Sequence, residues 1–322
     1  MPSVLVTGVY GQDGALLARS LSDAGWEVHG TARSVESGPA VSGVTVHEAD
    51  LTDAAGFAAV IENVEPDLLV NLAGISSVAQ SWHDPVLTSE VSGRVVADLL
   101  EACRVLEQRV GRQVRFVQAS SSEIFGASSV VPQNESTPIL PVSPYGAAKA
   151  YAHLLGRVSR LRGQFASNAI LYNHESLERP LTFVTRKITR GVAEIATGRT
   201  ETITLGNLDA KRDWSWAGDV IDAITAIATA PEPDDFVVAS GVSRSVRDFV
   251  AAAFAAAGIT DWEGRIRQDA RFMRPSDAPE MRGDARKITT ELGWHPRVSF
   301  EEMVRRMIEH DIAELRVDDS GK

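Results

Sequence analysis

The sequence predicts an α/β protein, a doubly wound parallel sheet followed by a smaller α/β C-terminal lobe. Two observations carry this prediction. Through the first half of the 322 residues, short apolar runs alternate with longer stretches of helical periodicity, the pattern of parallel strands lying between two layers of helices. The first of those runs opens directly into a glycine-rich turn that leads into a helix.

Val4 to Thr7 is an apolar strand, Gly8-Val-Tyr-Gly11-Gln12-Asp13-Gly14 is the turn, and Ala15 to Ala24 carries Leu16, Leu17 and Leu21 at helical spacing. Glycines there let the backbone approach a pyrophosphate, and a helix start offers it unpaired N–H groups and a positive dipole end, as in a Rossmann domain. The next strand, Glu27 to Arg33, ends on an arginine where an acidic residue commonly holds the ribose 2′-hydroxyl of NAD. Arg33 suits a 2′-phosphate, so the expected cofactor is NADP. A loop follows over Val35 to Gly43. Further strands are expected at Val44 to His47, Leu68 to Leu72, Val114 to Ser120 and Ser167 to Leu171, and helices at Asp53 to Val64, Pro85 to Val110 and Tyr145 to Arg162. Ligands of such sheets bind beyond the carboxyl ends of the strands, where Gly8, Asp50, Ala73, Ser120 and Asn173 fall.

The second half is less regular. Helices are expected at Phe183 to Thr197, Asp219 to Thr229, Val246 to Ala257, Arg286 to Leu292 and Phe300 to Leu315, and strands at Ile203 to Leu205 and Phe236 to Ala239. Basic pairs recur there, Arg186 with Lys187, Lys211 with Arg212, and Arg271 with Arg274; arginine binds phosphate bidentately, so a lobe that grips a diphosphate needs such donors. The expected organisation is a cofactor domain over 1–172 with returns near 213–240, a substrate lobe over 173–212 and 241–316, and a frayed tail over 317–322.

Composition sets limits. A net charge of −11 argues against broad nucleic-acid or anionic-membrane binding. No apolar stretch is long enough to span a membrane and the chain enters a strand at once, which gives the expectation of a cytoplasmic protein. Cys103 is the single cysteine and lies on an apolar helix face, where packing is the natural role. His174 and Glu175 do not form a helical HExxH pair and the other histidines are scattered, so no metal is expected.

Tyr145 and Lys149 stand four residues apart in SPYGAAK, and Ser121, Ser122 and Glu123 follow the strand ending at Ser120. Residues i and i+4 share a helix face, so the Lys149 ammonium can lower the pKa of the phenol. A phenol so tuned can take a proton from a sugar hydroxyl as hydride leaves the same carbon. The turn from Thr7 to Gly14, NLAG at Asn71 to Gly74, SSSEIFG at Ser120 to Gly126 and SPYGAAK resemble the extended short-chain dehydrogenase/reductase superfamily. More narrowly, YNHES (172–176), TFVTRKITR (182–190), LGNLDAKRDW (205–214) and LGWHP (292–296) resemble GDP-mannose 4,6-dehydratases.

The resemblance implies an internal redox cycle on a nucleotide-diphosphate sugar, GDP-mannose, through bound NADP. Hydride leaves C4 as Tyr145, polarised by Lys149, accepts the hydroxyl proton; Glu123 removes the C5 proton; Ser121 helps protonate the departing C6 hydroxyl; and hydride returns to C6. Gly8, Gly11, Gln12, Asp13, Gly14, Arg33, Asp50, Leu51, Leu72 and Ala73, with Tyr145 and Lys149, are the implied cofactor set. Ser81, Ser122, Asn173, Val184, Lys187, Asn207, Arg212, Arg274 and Asp277 are the implied substrate set, Asp277 standing where the family usually has a glutamate. Three departures are visible. The arginine- and serine-rich loop that joins cofactor sites across the family's tetramer is shortened to Arg33-Ser-Val-Glu-Ser-Gly, so a homodimer through 85–110 and 145–162 is expected instead. The family's AQSHV becomes Gly74-Ile-Ser-Ser-Val78, and its NHESPRR becomes NHESLER with Leu177 and Glu178. Two other readings remain open on these residues: a 4-keto reductase or epimerase on the same fold, and a non-catalytic NADP(H) sensor. The reductase would not need a carboxylate at Glu123, and the sensor would have no reason to keep Ser121, Glu123, Tyr145 and Lys149 together.

Overall fold

In the computed structural model, which describes residues 1–36, 38, 41–272, 278 and 280–320, strands and helices alternate through the first half. They are β1 (Ser3–Thr7), α1 (Gln12–Asp23), β2 (Glu27–Ala32), β3 (Val44–Glu48), α2 (Ala54–Val64), β4 (Leu68–Asn71), α3 (Val78–His83), α4 (Pro85–Ser89), α5 (Val95–Val110), β5 (Arg115–Ser121), α6 (Pro144–Leu161) and β6 (Ala166–Leu171). The second half adds β7 (Asn173–Glu175), α7 (Val184–Ala196), β8 (Ile203–Leu205), β9 (Lys211–Trp216), α8 (Ala217–Ala228), β10 (Asp235–Val238), β11 (Ser243–Ser245), α9 (Val246–Ala256), β12 (Ile266–Gln268), β13 (Glu280–Met281), α10 (Arg286–Leu292) and α11 (Phe300–Ser320).

The main sheet has seven strands in the order β10-β6-β5-β4-β1-β2-β3, and every pairing in it is parallel. Strand order therefore reverses between β1 and β4, the switch point at which a crevice opens beyond the carboxyl ends. Both faces are covered, as parallel sheets require. On one, Leu17, Ala18 and Leu21 of α1 and Val220, Ile224 and Ile227 of α8 pack on Val4, Val6, Val70 and Val117. On the other, Phe57 and Ile61 of α2, Val96, Leu99 and Cys103 of α5 and Ala152 of α6 pack on Leu5, Leu69 and Phe116. A separate core joins Ile188 and Val192 of α7, Phe249 and Phe254 of α9, and Met303 and Met307 of α11. There β9 pairs with β7, β11 and β13, and β8 with β12.

The structure differs from the sequence expectation in three respects. The helix expected over Pro85 to Val110 is broken, because a wider π turn at Glu90–Arg94 separates α4 from α5. Its Ser92 hydroxyl accepts the Ile75 N–H at 3.0 Å, which ties this turn to the segment after β4. The chain end expected to fray from 317 continues as helix to Ser320, anchored where Arg199 Nη2 donates to the Leu315 carbonyl at 2.6 Å. Strands β7, β9, β11, β12 and β13 have no apolar run to announce them. β9 reads Lys-Arg-Asp-Trp-Ser-Trp, and its buried Asp213 accepts N–H groups from Ser240, Gly241 and Gly283.

Candidate active site

The turn after β1 is built for close approach. Gly8 has φ +70°, and a Cβ on it would press on Ala73 Cα at 3.0 Å; a Cβ on Gly14 would drive into the Gly8 carbonyl oxygen and meet Val9 Cα at 2.8 Å. The turn closes through Gly11 N–H donating to Gly8 O at 2.9 Å. Asp53, Asp84, Ser143 and Ser245 cap α2, α4, α6 and α9 with their side chains, whereas α7, α8 and α10 have no side-chain N-cap, and neither has α1, with Gly11 before its first residue. Its first N–H groups are thus left for a ligand, and the cradle fits a dinucleotide pyrophosphate. Leu72 and Ala73 are held beside it, both N–H groups donating to Thr7 Oγ1 at 3.1 and 3.0 Å. Arg33 is exposed just past β2. Asp50, past β3 and followed by the half-buried Leu51, is held below the ordinary carboxylate range by the Thr52 N–H and hydroxyl, each at 2.8 Å, with the Arg33 charge adding to this.

α6 starts where the Ser143 hydroxyl accepts the Gly146 N–H at 3.0 Å and Pro144 takes the first helical position. One turn on, Lys149 Nζ donates to Ala119 O at 2.8 Å and lies 5.8 Å from the Tyr145 ring centroid. Burial brings Lys149 down to about 8, against the Asp13 charge. Burial also pushes the Tyr145 phenol up to about 12; a hydrogen bond with Ser121 and the Arg179 charge pull it down, while Glu123 and Asp13 push it up. The expectation that Lys149 depresses the phenol is therefore reversed in this geometry, where desolvation dominates. Ser121 also accepts the Glu123 N–H at 3.2 Å. Ser122 is buried and Glu123 half-buried in the short 3₁₀ turn Ser122–Ile124. The four catalytic candidates thus meet at the carboxyl end of β5.

Of the substrate set, Asn173 opens β7 directly after β6. Val184 begins α7, and Lys187 Nζ sits 3.6 Å from the Phe272 ring centroid. Asn207 is exposed and turns its Oδ1 to the Asp209 N–H at 2.9 Å. Arg212 is buried and donates to the Lys211 and Ala278 carbonyls at 2.8 and 3.0 Å. Ser81 is fully buried, its hydroxyl donating to Val78 O at 2.7 Å. Arg274 and Asp277 lie outside the described residues. Among the other basic residues, Arg186 is buried in an ion pair with Asp311 of α11, and the exposed Arg271 pairs with Asp269 at 2.7 Å. Of the departures, Leu177 packs on the second core and Glu178 pairs with Arg19 of α1 at 2.7 Å.

Sequence reasoning missed a buried polar chain under the site. Thr7 Oγ1 donates to Asn71 Oδ1 at 2.7 Å, Asn71 Nδ2 to Gln118 Oε1 at 2.8 Å, and Gln118 Nε2 to Ala119 O at 2.8 Å, the same carbonyl that Lys149 uses. It missed His153 as well, whose Nδ1 lies 3.1 Å from Ser120 Oγ. The signal was present, since His153 continues the four-residue spacing of Tyr145 and Lys149.

A parallel sheet with this switch point, glycine cradle and Tyr145–Lys149 pair defines an extended short-chain dehydrogenase/reductase. Residues 5–307 match the family described as GDP-mannose 4,6 dehydratase. The chain is 38% identical to GDP-mannose 4,6 dehydratase of Cricetulus griseus, over 98% of this chain and 92% of that one. It is 37% identical to GDP-mannose 4,6-dehydratase of Sinorhizobium fredii, over 97% of each. The chain belongs to the GDP-mannose 4,6-dehydratase family. Among solved structures it is similar to Thermus thermophilus UDP-glucose 4-epimerase in complex with NAD, with a TM-score of 0.82 and 26% identity over 96% of this chain and 98% of that one. A Pseudomonas aeruginosa protein designated RMD, complexed with NADPH, shares the fold at a TM-score of 0.79 and 22% identity over 97% of this chain and all of that one, 100%.

Proposed function

We propose that the protein is a lyase that converts GDP-mannose to GDP-4-keto-6-deoxymannose with NADP resident in the cradle. One observation carries this reading: Ser121 and Glu123 stand at the same strand end as Tyr145 and Lys149. A 4-keto-hexose reductase uses the tyrosine and lysine but needs no carboxylate to deprotonate C5.

When bound, NADP supplies the hydride acceptor and donor. Gly8, Gly11, Gln12, Asp13 and Gly14 would hold its pyrophosphate side, Leu72 and Ala73 the strand-end wall, and Arg33, Asp50 and Leu51 the adenosine side, with Arg33 suited to a 2′-phosphate. Tyr145 Oη would take the C4 hydroxyl proton as the phenolate, the form that a neighbouring ammonium on Lys149 favours and that burial of the ring opposes. The resulting ketone acidifies C5, whose proton goes to the Glu123 carboxylate. The C6 hydroxyl then leaves as water with the proton that Glu123 carries, delivered with the help of Ser121; the proton that Tyr145 took from the C4 hydroxyl goes back to the sugar at C5 when C6 is reduced, so the sugar loses one water and no proton is left over. Asn173, Val184, Lys187, Asn207 and Arg212, with Ser81 and Ser122 behind them, would line the nucleotide sugar, and Arg274 and Asp277 would complete the set.

The assembly we propose is a homodimer. Tyr151, Leu154, Val158 and Leu161 form one exposed stripe along α6, and Trp82, Val86 and Val105 of α3, α4 and α5 are also exposed apolar residues, a surface of the kind that a partner covers. Incubation with GDP-mannose, followed by mass spectrometry for the loss of water, tests the reaction; an unchanged sugar, or reduction without water loss, rejects it. Relative affinities for NADP⁺ and NAD⁺ test the cofactor, and a light-scattering mass of a monomer or tetramer would reject the dimer.

A further inference from the structure

A closed polar seam joins the first turn of α1 to the segment that leaves β6. Ser176 Oγ donates to Gln12 Oε1 at 3.0 Å, Gln12 Nε2 donates to Asp13 Oδ1 at 2.9 Å, and Asp13 Oδ2 lies 2.9 Å from His174 Nε2. The other ring nitrogen, Nδ1, is 2.7 Å from the Tyr172 carbonyl oxygen. Carbonyl and carboxylate oxygens only accept, so both ring nitrogens carry protons and His174 is an imidazolium. Asp13 sits between the cradle glycines, and His174 is next to Asn173 in β7. The Arg19–Glu178 pair lies further along the same two segments.

We infer that His174 is a positioning residue for the cofactor turn. Its contact with Asp13 fixes the phosphate-facing end of α1 against the strand that presents Asn173, and its charge cancels a carboxylate where a pyrophosphate would dock. The inference rests on the NADP reading above.

Burial opposes the imidazolium, but the Asp13 charge and hydrogen bond outweigh it, so His174 titrates above its ordinary range, while Asp13 is held far below its own. The other charged or titratable groups facing the pair are Arg179, itself joined to Glu175 at 2.9 Å, and, on α6, Lys149 and the Tyr145 phenol, both of which feel the Asp13 charge. The pKa of His174 is raised, so the contact is complete below the ordinary histidine value and is lost as pH rises through the raised one. Above that pH an uncompensated carboxylate faces the cofactor.

The test combines histidine NMR with NADPH fluorescence titration from about pH 6 to about pH 9, on wild type, Asp13→Asn and His174→Gln. Wild-type affinity should fall on the order of tenfold across the His174 titration. Asp13→Asn should lower the His174 pKa and shift the step of the profile that follows the His174 resonance with it, leaving the separate step that Lys149 gives; His174→Gln should bind roughly tenfold more weakly at the acid end and show the Lys149 step alone. A pH-flat wild-type affinity while His174 titrates, or an Asp13→Asn profile that keeps the His174 step where the wild type has it, overturns the inference alone. A wild type that binds no NADPH at any pH overturns the cofactor reading, and the inference with it.

Discussion

Replacing Gly14 by alanine tests the cradle at its tightest point. The added Cβ would meet Val9 Cα at 2.8 Å and Gly8 C at 2.9 Å, besides driving into the Gly8 oxygen. These are backbone atoms, so no rotamer can give way. Bringing the Val9 contact to 3.4 Å alone requires the start of α1 to move by at least about 0.6 Å, at the roughly 1–3 kcal/mol typical of overpacking. That movement pulls the first N–H groups of α1 away from the pyrophosphate position. Losing one charge-assisted hydrogen bond is worth about 1.5–3 kcal/mol, so NADPH affinity should fall roughly ten- to a hundredfold, with a modest drop in Tm. Gly11→Ala is the internal comparison, because its Cβ would meet only Gly8 O at 3.2 Å and should weaken binding only a few-fold, about 1 kcal/mol or less. Fluorescence titration and thermal unfolding on both variants decide the matter. If Gly14→Ala bound NADPH within twofold of wild type, or Gly11→Ala were the more damaging change, the cradle would not hold the cofactor as argued.

Glu123→Gln keeps size and hydrogen-bonding shape but removes the base, so exchange of deuterium at the sugar C5 and loss of water should both stop; near-normal exchange would move the role elsewhere. Tyr145→Phe should lower kcat by on the order of a hundredfold or more with KM little changed, since a general base contributes about 10²–10⁴, and a loss confined to KM would make the tyrosine a binding residue instead. His153 titrates at about 4 rather than the usual 6.5, through burial first, with the Asp235 charge opposing. A base depressed on folding contributes stability that is full above the ordinary value and lost as pH falls toward the folded one, here up to about 3 kcal/mol. Urea unfolding at neutral pH and near pH 4 should show that loss in wild type and a smaller one in His153→Gln, and equal losses would refute the assignment.

The parts of the fold that the sequence made legible are those where burial imposes a period. β1, β4, β5 and β6 are fully or almost fully buried, and buried parallel strands read as continuous apolar runs. β9 mixes charged and aromatic residues: Trp214 packs on Phe249 and Phe300 of the second core, while Asp213 is held by long-range contacts such as that with Ser240, 27 positions away, which no local pattern encodes. The candidate site divides in the same way. The glycine turn, Tyr145 with Lys149, and Ser121 with Glu123 are close in sequence and therefore visible, whereas Asp13 and His174 meet across 161 positions.

The raised Tyr145 phenol has the same origin. Spacing foretold the lysine's proximity but not the burial, since desolvation depends on everything packed around the ring. α6 makes the link between these levels explicit. Tyr145, Lys149, His153 and Arg157 recur at four-residue intervals, and each has a polar partner on the sheet: Ser121, the Ala119 carbonyl, Ser120 and Asp235. The partners of the first three are consecutive residues of β5. Helix α6 is thus registered against its strand by directional contacts as well as by apolar packing on Ala152. A helix slipped by one residue would turn this whole face away from the strand, because each residue rotates about 100°. The spacing that signals the chemistry is therefore also the spacing that fixes the helix holding it.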